Sequence, residues 1–146
     1  MRAKILNASA GSGKTYQLAY KYVRDVVEQP SIYRHILAVT FTNKATEEMK
    51  SRILKEIHLL ASGGESSYLE NLCRELDMDA ATVRRRAAEV RSKILHDYSR
   101  FTVLTIDTFF QRILRAFIKE LGIDLNYNVE IETASVLTKS ADTLIE

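Results

Sequence analysis

The chain has one cysteine, Cys73, and one proline, Pro30. A single thiol excludes an internal disulfide and fits a reducing compartment, and Cys73 reads as a small core residue. His35, His58 and His96 have no metal-ligand spacing with it, so a zinc site is not expected. Long apolar runs are missing too: none approaches the length of a membrane span. The opening "MRAKILNASAG" lacks the apolar centre of a secretory signal, which leaves a cytoplasmic protein of bacterial type as the default. Charge of one sign is also lacking. Lys and Arg number 21 against 19 Asp and Glu, and the resulting +2 is too near balance to argue for nucleic acid by itself. Internal repeats and low-complexity segments are absent. What remains is 146 residues, 46% hydrophobic and 27% charged, the make-up of one ordinary domain able to bury a single core.

Residues 4 to 6, "KIL", read as a first buried strand. Leu18, Tyr22, Val23, Val26 and Val27 then recur at helical spacing, so residues 13 to 28 read as an amphipathic helix that Pro30 ends. "ILAV" at 36 to 39 is a continuous apolar run, suited to a strand covered on both faces. Thr42 or Asn43 caps a second helix, with Glu47 and Glu48 in its first turn and a core face of Ala45, Met49, Ile53, Ile57 and Leu60. Gly63-Gly64 breaks it. Residues 65 to 98 carry two further helical patterns, Leu69, Leu72, Cys73 and Leu76, then Val83, Ala87, Val90, Ile94 and Tyr98. The basic run Arg84-Arg85-Arg86 in the second reads as a solvated face rather than a DNA patch.

"FTVLTI" at 101 to 106 returns to strand character, and "DTFFQRILRAFIKELG" follows as a helix, with Asp107 or Thr108 as its cap and Gly122 at its C-cap. The order strand, helix, strand, helices, strand, helix predicts an α/β fold, a parallel sheet with helical crossovers. "NYNVEIETASVLTKSADTLIE" reads as a short strand and then a helix from near Ser135 in which the chain stops, so the natural polypeptide is expected to continue.

Residues 8 to 15, A-S-A-G-S-G-K-T, have the spacing of a Walker A phosphate loop, with alanine in place of its first glycine. Gly11 and Gly13 can take backbone angles that other residues resist, which lets successive N–H groups of Ser9, Ala10, Gly11, Ser12 and Gly13 converge on one anion at a helix N-terminus. Lys14 supplies a point charge for the outer phosphates. The Thr15 hydroxyl suits Mg²⁺, which prefers few protein ligands plus phosphate oxygens. Tyr16, next in the chain, either borders the base or packs on the sheet. ATP with Mg²⁺ is the expected cofactor, and Lys14 and Thr15 are the expected catalytic groups, Thr15 also as metal ligand.

The loop alone does not separate kinases, GTPases and motors. Thr40, Phe41, Thr42, Asn43 and Lys44 stand where a parallel strand ends and a helix opens, the edge at which ligands collect in such sheets. Hydroxyls, an amide and one cation suit phosphate oxygens, and Phe41 suits stacking on a base. Spacing alone favours a plainer arrangement, a capped helix with Phe41 in the core and Lys44 in water.

"ILAVTFTNKATEEMKSRI" at 36 to 53, together with "NASAGSGKT", resembles the first two motifs of the UvrD/Rep-type superfamily-1 DNA helicases, with the best match to the AddA/RecB branch of helicase–nuclease motor subunits. "TIDTFFQRILRAF" at 105 to 117 resembles that family's next motif, usually T-x-H-S-F, with Asp107 where the family has histidine. The resemblance implies a RecA-like P-loop motor domain over residues 1–121 with a helical insertion at 65–98, then 122–146 leading towards the inserted helicase subdomain. It implies contact of Thr40, Phe41, Thr42, Asn43 and Lys44 with single-stranded DNA, and of Thr105, Thr108 and Phe109 with the same strand. The partners it further implies are duplex DNA, the remaining helicase domains and a separate nuclease. A carboxylate would repel DNA phosphate, so Asp107 reads as a helix cap or as pointing away.

The groups that position water and supply arginine to the transition state have no counterpart here, so the chain alone is expected to be inactive. Two other readings stand beside this one. "VLTID" at 103 to 107 has the look of a Walker B strand, which would make Asp107 a Mg²⁺ ligand in a compact P-loop NTPase or small kinase. The other is a non-catalytic binding module.

Overall fold

The computed structural model describes residues 13–120, so the strand expected at 4–6, Gly122 and the elements expected from 122 onward lie outside the described residues. By contact, the chain divides into two compact units, Met1–Phe109 and Phe110–Glu146.

Helix α1 spans Lys14–Glu28 and buries Ala19, Tyr22, Val23, Val26 and Val27. Leu18, expected on this face, is 43% exposed, and Ala19 takes its place against the core. Pro30 opens a 3-10 turn, Pro30–His35, that leads into strand β1, Leu37–Thr40. Helix α2, Asn43–Ser62, buries Thr46, Met49, Ile53, Ile57 and Leu60. Thr46 therefore replaces the expected Ala45, and its hydroxyl is satisfied by donating to the Thr42 carbonyl at 3.1 Å. Since α2 begins at Asn43, Glu47 and Glu48 fall beyond its first turn, and Glu47 instead pairs with Lys50 at 3.0 Å. Gly63 ends α2 with φ 78°, and the Gly64 N–H donates to the Leu59 carbonyl at 2.9 Å.

Helix α3 spans Leu69–Leu76 and α4 spans Ala80–His96, the latter burying Val83, Ala87, Val90 and Ile94. Cys73 packs against the core edge. Tyr98, expected to continue the α4 face, sits half-exposed in a 3-10 turn, Tyr98–Arg100, because α4 has already ended. Strand β2, Thr102–Thr105, pairs in parallel with β1 in the register Leu37↔Thr102 to Thr40↔Thr105. Helix α5, Ile106–Glu120, follows at once.

The described chain is thus helix-rich α/β, with a two-stranded parallel sheet. Helices α2 and α4 pack most extensively, and both pack on α1. Each fully buried Val, Leu or Ile in this cluster contributes roughly 1.5–3 kcal/mol. The basic run has a structural role in part. Neither α1 nor α2 has a basic residue in its last turn, and α4 supplies one to each. Arg86 donates to the Val27 and Glu28 carbonyls, and Arg84 donates to Gly63 O at 3.0 Å. Only Arg85 is exposed as a solvated face requires. β1 is covered on one face rather than two, with Leu37 and Val39 more than 40% exposed. No described helix is long and apolar enough to cross a membrane.

Candidate functional site

The parallel register sets Thr40 and Thr105 side by side at the carboxyl ends of β1 and β2. From there the chain turns directly into α2 and α5, so two helix N-termini open on one edge of the sheet. Threonine hydroxyls build both turns. Thr42 Oγ1 accepts from the Ala45 N–H at 3.1 Å, and Thr105 Oγ1 accepts from the Thr108 N–H at 3.2 Å. The second bond makes Thr105, not Asp107 or Thr108, the residue that caps α5. The Thr40 and Thr46 hydroxyls lie 2.6 Å apart, and those of Thr105 and Thr108 lie 2.8 Å apart.

These bonds divide the residues expected at this edge. Thr105 is buried and committed to its turn, and Thr40 is half-buried. Thr108 and Phe109 are half-buried in the first turn of α5. Phe41, Thr42, Asn43 and Lys44 are exposed. Phe41 is 86% exposed, which overturns the plainer arrangement with Phe41 in the core. A large apolar ring in water beside a cation can stack on a base while the cation meets phosphate. Asp107 is exposed in the first turn of α5, two residues after β2 ends. A Walker B carboxylate stands at the end of its strand, so this position does not fit that reading.

Ser9, Ala10, Gly11 and Ser12 lie outside the described residues. Gly13 is described, and takes φ 73° and ψ 20° as the residue that opens α1. Among the described residues a Cβ built there would meet nothing closer than 4.0 Å, and the left-handed backbone itself favours glycine. Lys14 and Thr15 occupy the first turn of α1. Among the described residues no side chain caps that end, and no acidic residue stands in its first turn to offset the positive end of the helix dipole. That donor set fits phosphate: a left-handed glycine, a helix N-terminus, an ammonium and a hydroxyl. Among the described residues no group of three or more His, Cys, Asp or Glu could by itself hold a metal ion.

Tyr16 packs edge-to-face on Tyr68, with ring centroids 5.1 Å apart, and the Arg52 guanidinium lies 5.8 Å from its ring centre. Its hydroxyl donates to Ser67 Oγ at 3.4 Å. It thus faces α2 and the α2–α3 connection, and borders an open groove of about 580 Å³ lined also by Glu47, Glu48, Ser51, Arg52, Lys55 and Glu56. Sequence reasoning missed Arg52, Ser67 and Tyr68, because no local spacing links them to the loop.

The chain matches the UvrD/REP helicase N-terminal domain over residues 2–146 and belongs to that family. Among its relatives, the RecBCD enzyme subunit RecB of Haemophilus influenzae is 28% identical over 94% of this chain and 13% of that protein. RecB of Escherichia coli is 29% identical over 94% of this chain and 12% of that protein. An ATP-dependent helicase/nuclease subunit of Lactobacillus delbrueckii is 28% identical over 90% of this chain and 9% of that protein. The chain therefore spans roughly a tenth of the length of these relatives. No solved structure gives a significant match.

Proposed function

We propose that this chain is the N-terminal ATP-binding portion of the first motor domain of an ATP-dependent DNA helicase, and that β1 and β2 belong to a RecA-like P-loop sheet. In the intact protein, ATP hydrolysis drives movement along single-stranded DNA and unwinding of duplex DNA in recombination or repair. The remaining helicase domains, and a nuclease partner as in the helicase–nuclease relatives, complete the machine. Residues 9 to 15 cradle the phosphates of ATP, Lys14 neutralises the outer ones and Thr15 holds Mg²⁺. The ion, when bound, offsets the charge that develops on the phosphoryl oxygens. Tyr16 borders the nucleotide.

The observation that carries the reading is the Phe41–Lys44 turn. It presents an exposed ring and a cation at the carboxyl edge of parallel strands in a chain of this family. Single-strand binding by the purified protein, followed by fluorescence anisotropy across a salt series, tests it. Lys44→Ala is expected to weaken binding alike for all sequences and to lower the salt slope by about 0.7–1. Phe41→Ala is expected to cost about 1–3 kcal/mol with the slope unchanged. Wild-type affinity and slope in both variants would remove this edge from the DNA interface.

A further inference from the structure

The first turn of α1 lies ahead of the buried stretch of the helix. Gly13 is left-handed, no side chain among the described residues caps the turn, and Ala19 is the first buried residue of the helix. Helix ends without such support fray, yet a phosphate cradle works only if its N–H groups keep a fixed direction. Support comes from outside the helix. Tyr16 and Tyr20 stand one turn apart on one face, and each meets the Tyr68 ring edge-to-face with centroids 5.1 Å apart. Tyr68 is fully buried, and its hydroxyl donates to the Tyr16 carbonyl at 3.4 Å. The connection that carries Tyr68 is itself pinned. Ser66 Oγ donates to Glu56 of α2 at 2.6 Å and accepts from the Tyr68 N–H at 3.2 Å.

We propose that Tyr68 is a positioning residue for nucleotide binding: its ring, held by the α2–α3 connection, fixes the first turn of α1 in the orientation that offers Gly13, Lys14 and Thr15 to phosphate. This rests on the reading of residues 9 to 15 as an ATP cradle. The ring is the working part, since two edge-to-face contacts outweigh one long hydroxyl bond. When the ring is lost, the turn must be ordered at the expense of binding, and affinity falls.

The test is titration calorimetry of ATP–Mg²⁺ with the purified protein, each variant held below its melting temperature. Tyr68→Leu is expected to weaken binding about three- to tenfold, near the low end for two edge-to-face contacts expressed as affinity. Tyr68→Phe keeps the ring and stays within about twofold. Tyr33→Leu is the comparator, because Tyr33 is equally buried but its hydroxyl donates to the Lys93 carbonyl of α4. That variant loses stability and keeps its affinity. Should Tyr68→Leu not fold, Tyr20→Leu removes one of the two ring contacts and is expected to cost about two- to threefold. Wild-type affinity in the ring-deleting variant, or an equal loss in Tyr33→Leu, would overturn the positioning role. Lys14→Ala separates the two claims: if wild type binds no nucleotide, or Lys14→Ala binds as well as wild type, the ATP reading fails and this role fails with it.

Discussion

Tyr22 and Phe41 are both large aromatics that sequence cannot tell apart, and the fold gives them opposite fates. Tyr22 is 3% exposed, packs edge-to-face on Phe101 at 5.6 Å, and its Oη has no hydrogen-bond partner among the described residues. Burial pushes its phenol well above the ordinary 10. An unpartnered hydroxyl in a core costs free energy, whereas an apolar ring of the same shape does not. Tyr22→Phe is therefore expected to raise stability by about 1 kcal/mol in urea unfolding. A loss of similar size would show that the hydroxyl has a partner in the folded protein. Tyr33 is the contrast, since its hydroxyl donates to the Lys93 carbonyl at 3.2 Å and accepts from Arg34 Nε at 3.1 Å. The phosphate-loop motif stands out in the sequence because its residue types are rare in combination. The ring of tyrosines beside it does not, because Tyr68 lies 52 residues from Tyr16 and meets it only where the α2–α3 connection packs on α1.

At the scale of elements, helix faces follow the 3.6-residue period closely, and the errors fall at the ends. The burial of Thr46 and the capping role of Thr105 were missed for one reason: a threonine that bonds its own turn can be buried or can cap, and spacing does not say which. β1 was misjudged because Leu37, Ala38 and Val39 are all apolar, so the sequence shows no alternation even though one face is exposed. Leu18 of α1 joins Leu37 and Val39 in lining a hollow of about 310 Å³. Caps also carry pH dependence. Asp79 caps α4, its Oδ1 accepting from the Thr82 N–H at 3.2 Å. Bonds from the Thr82 side chain, then from its backbone N–H, hold the Asp79 carboxyl below its ordinary 3.8. A lowered folded value means the contribution is complete above pH 3.8 and is lost as pH falls through the folded value. The stability difference between wild type and Asp79→Asn, followed by thermal melts from about pH 7 to about pH 2, is expected to stay constant down to about pH 4 and to shrink below it. A difference that grows on acidification would contradict the assignment.

For the molecule as a whole, long-range ties organise what the sequence lists separately. Arg86 and Arg84 of α4 close the ends of α1 and α2, Arg24 of α1 reaches Glu75 of α3 at 3.4 Å, and parallel pairing joins the ends of β1 and β2. The result places the helix start proposed to hold phosphate and an exposed aromatic–cationic turn on elements that share one core. Family membership accounts for that combination, and ATP binding is the claim on which the motor reading depends. Titration of ATP–Mg²⁺ into the purified protein and into Lys14→Ala tests it most directly. The account predicts measurable binding in the wild type and a loss of about tenfold or more in Lys14→Ala, because the outer phosphates lose their cation. Equal affinity in the two proteins would contradict it.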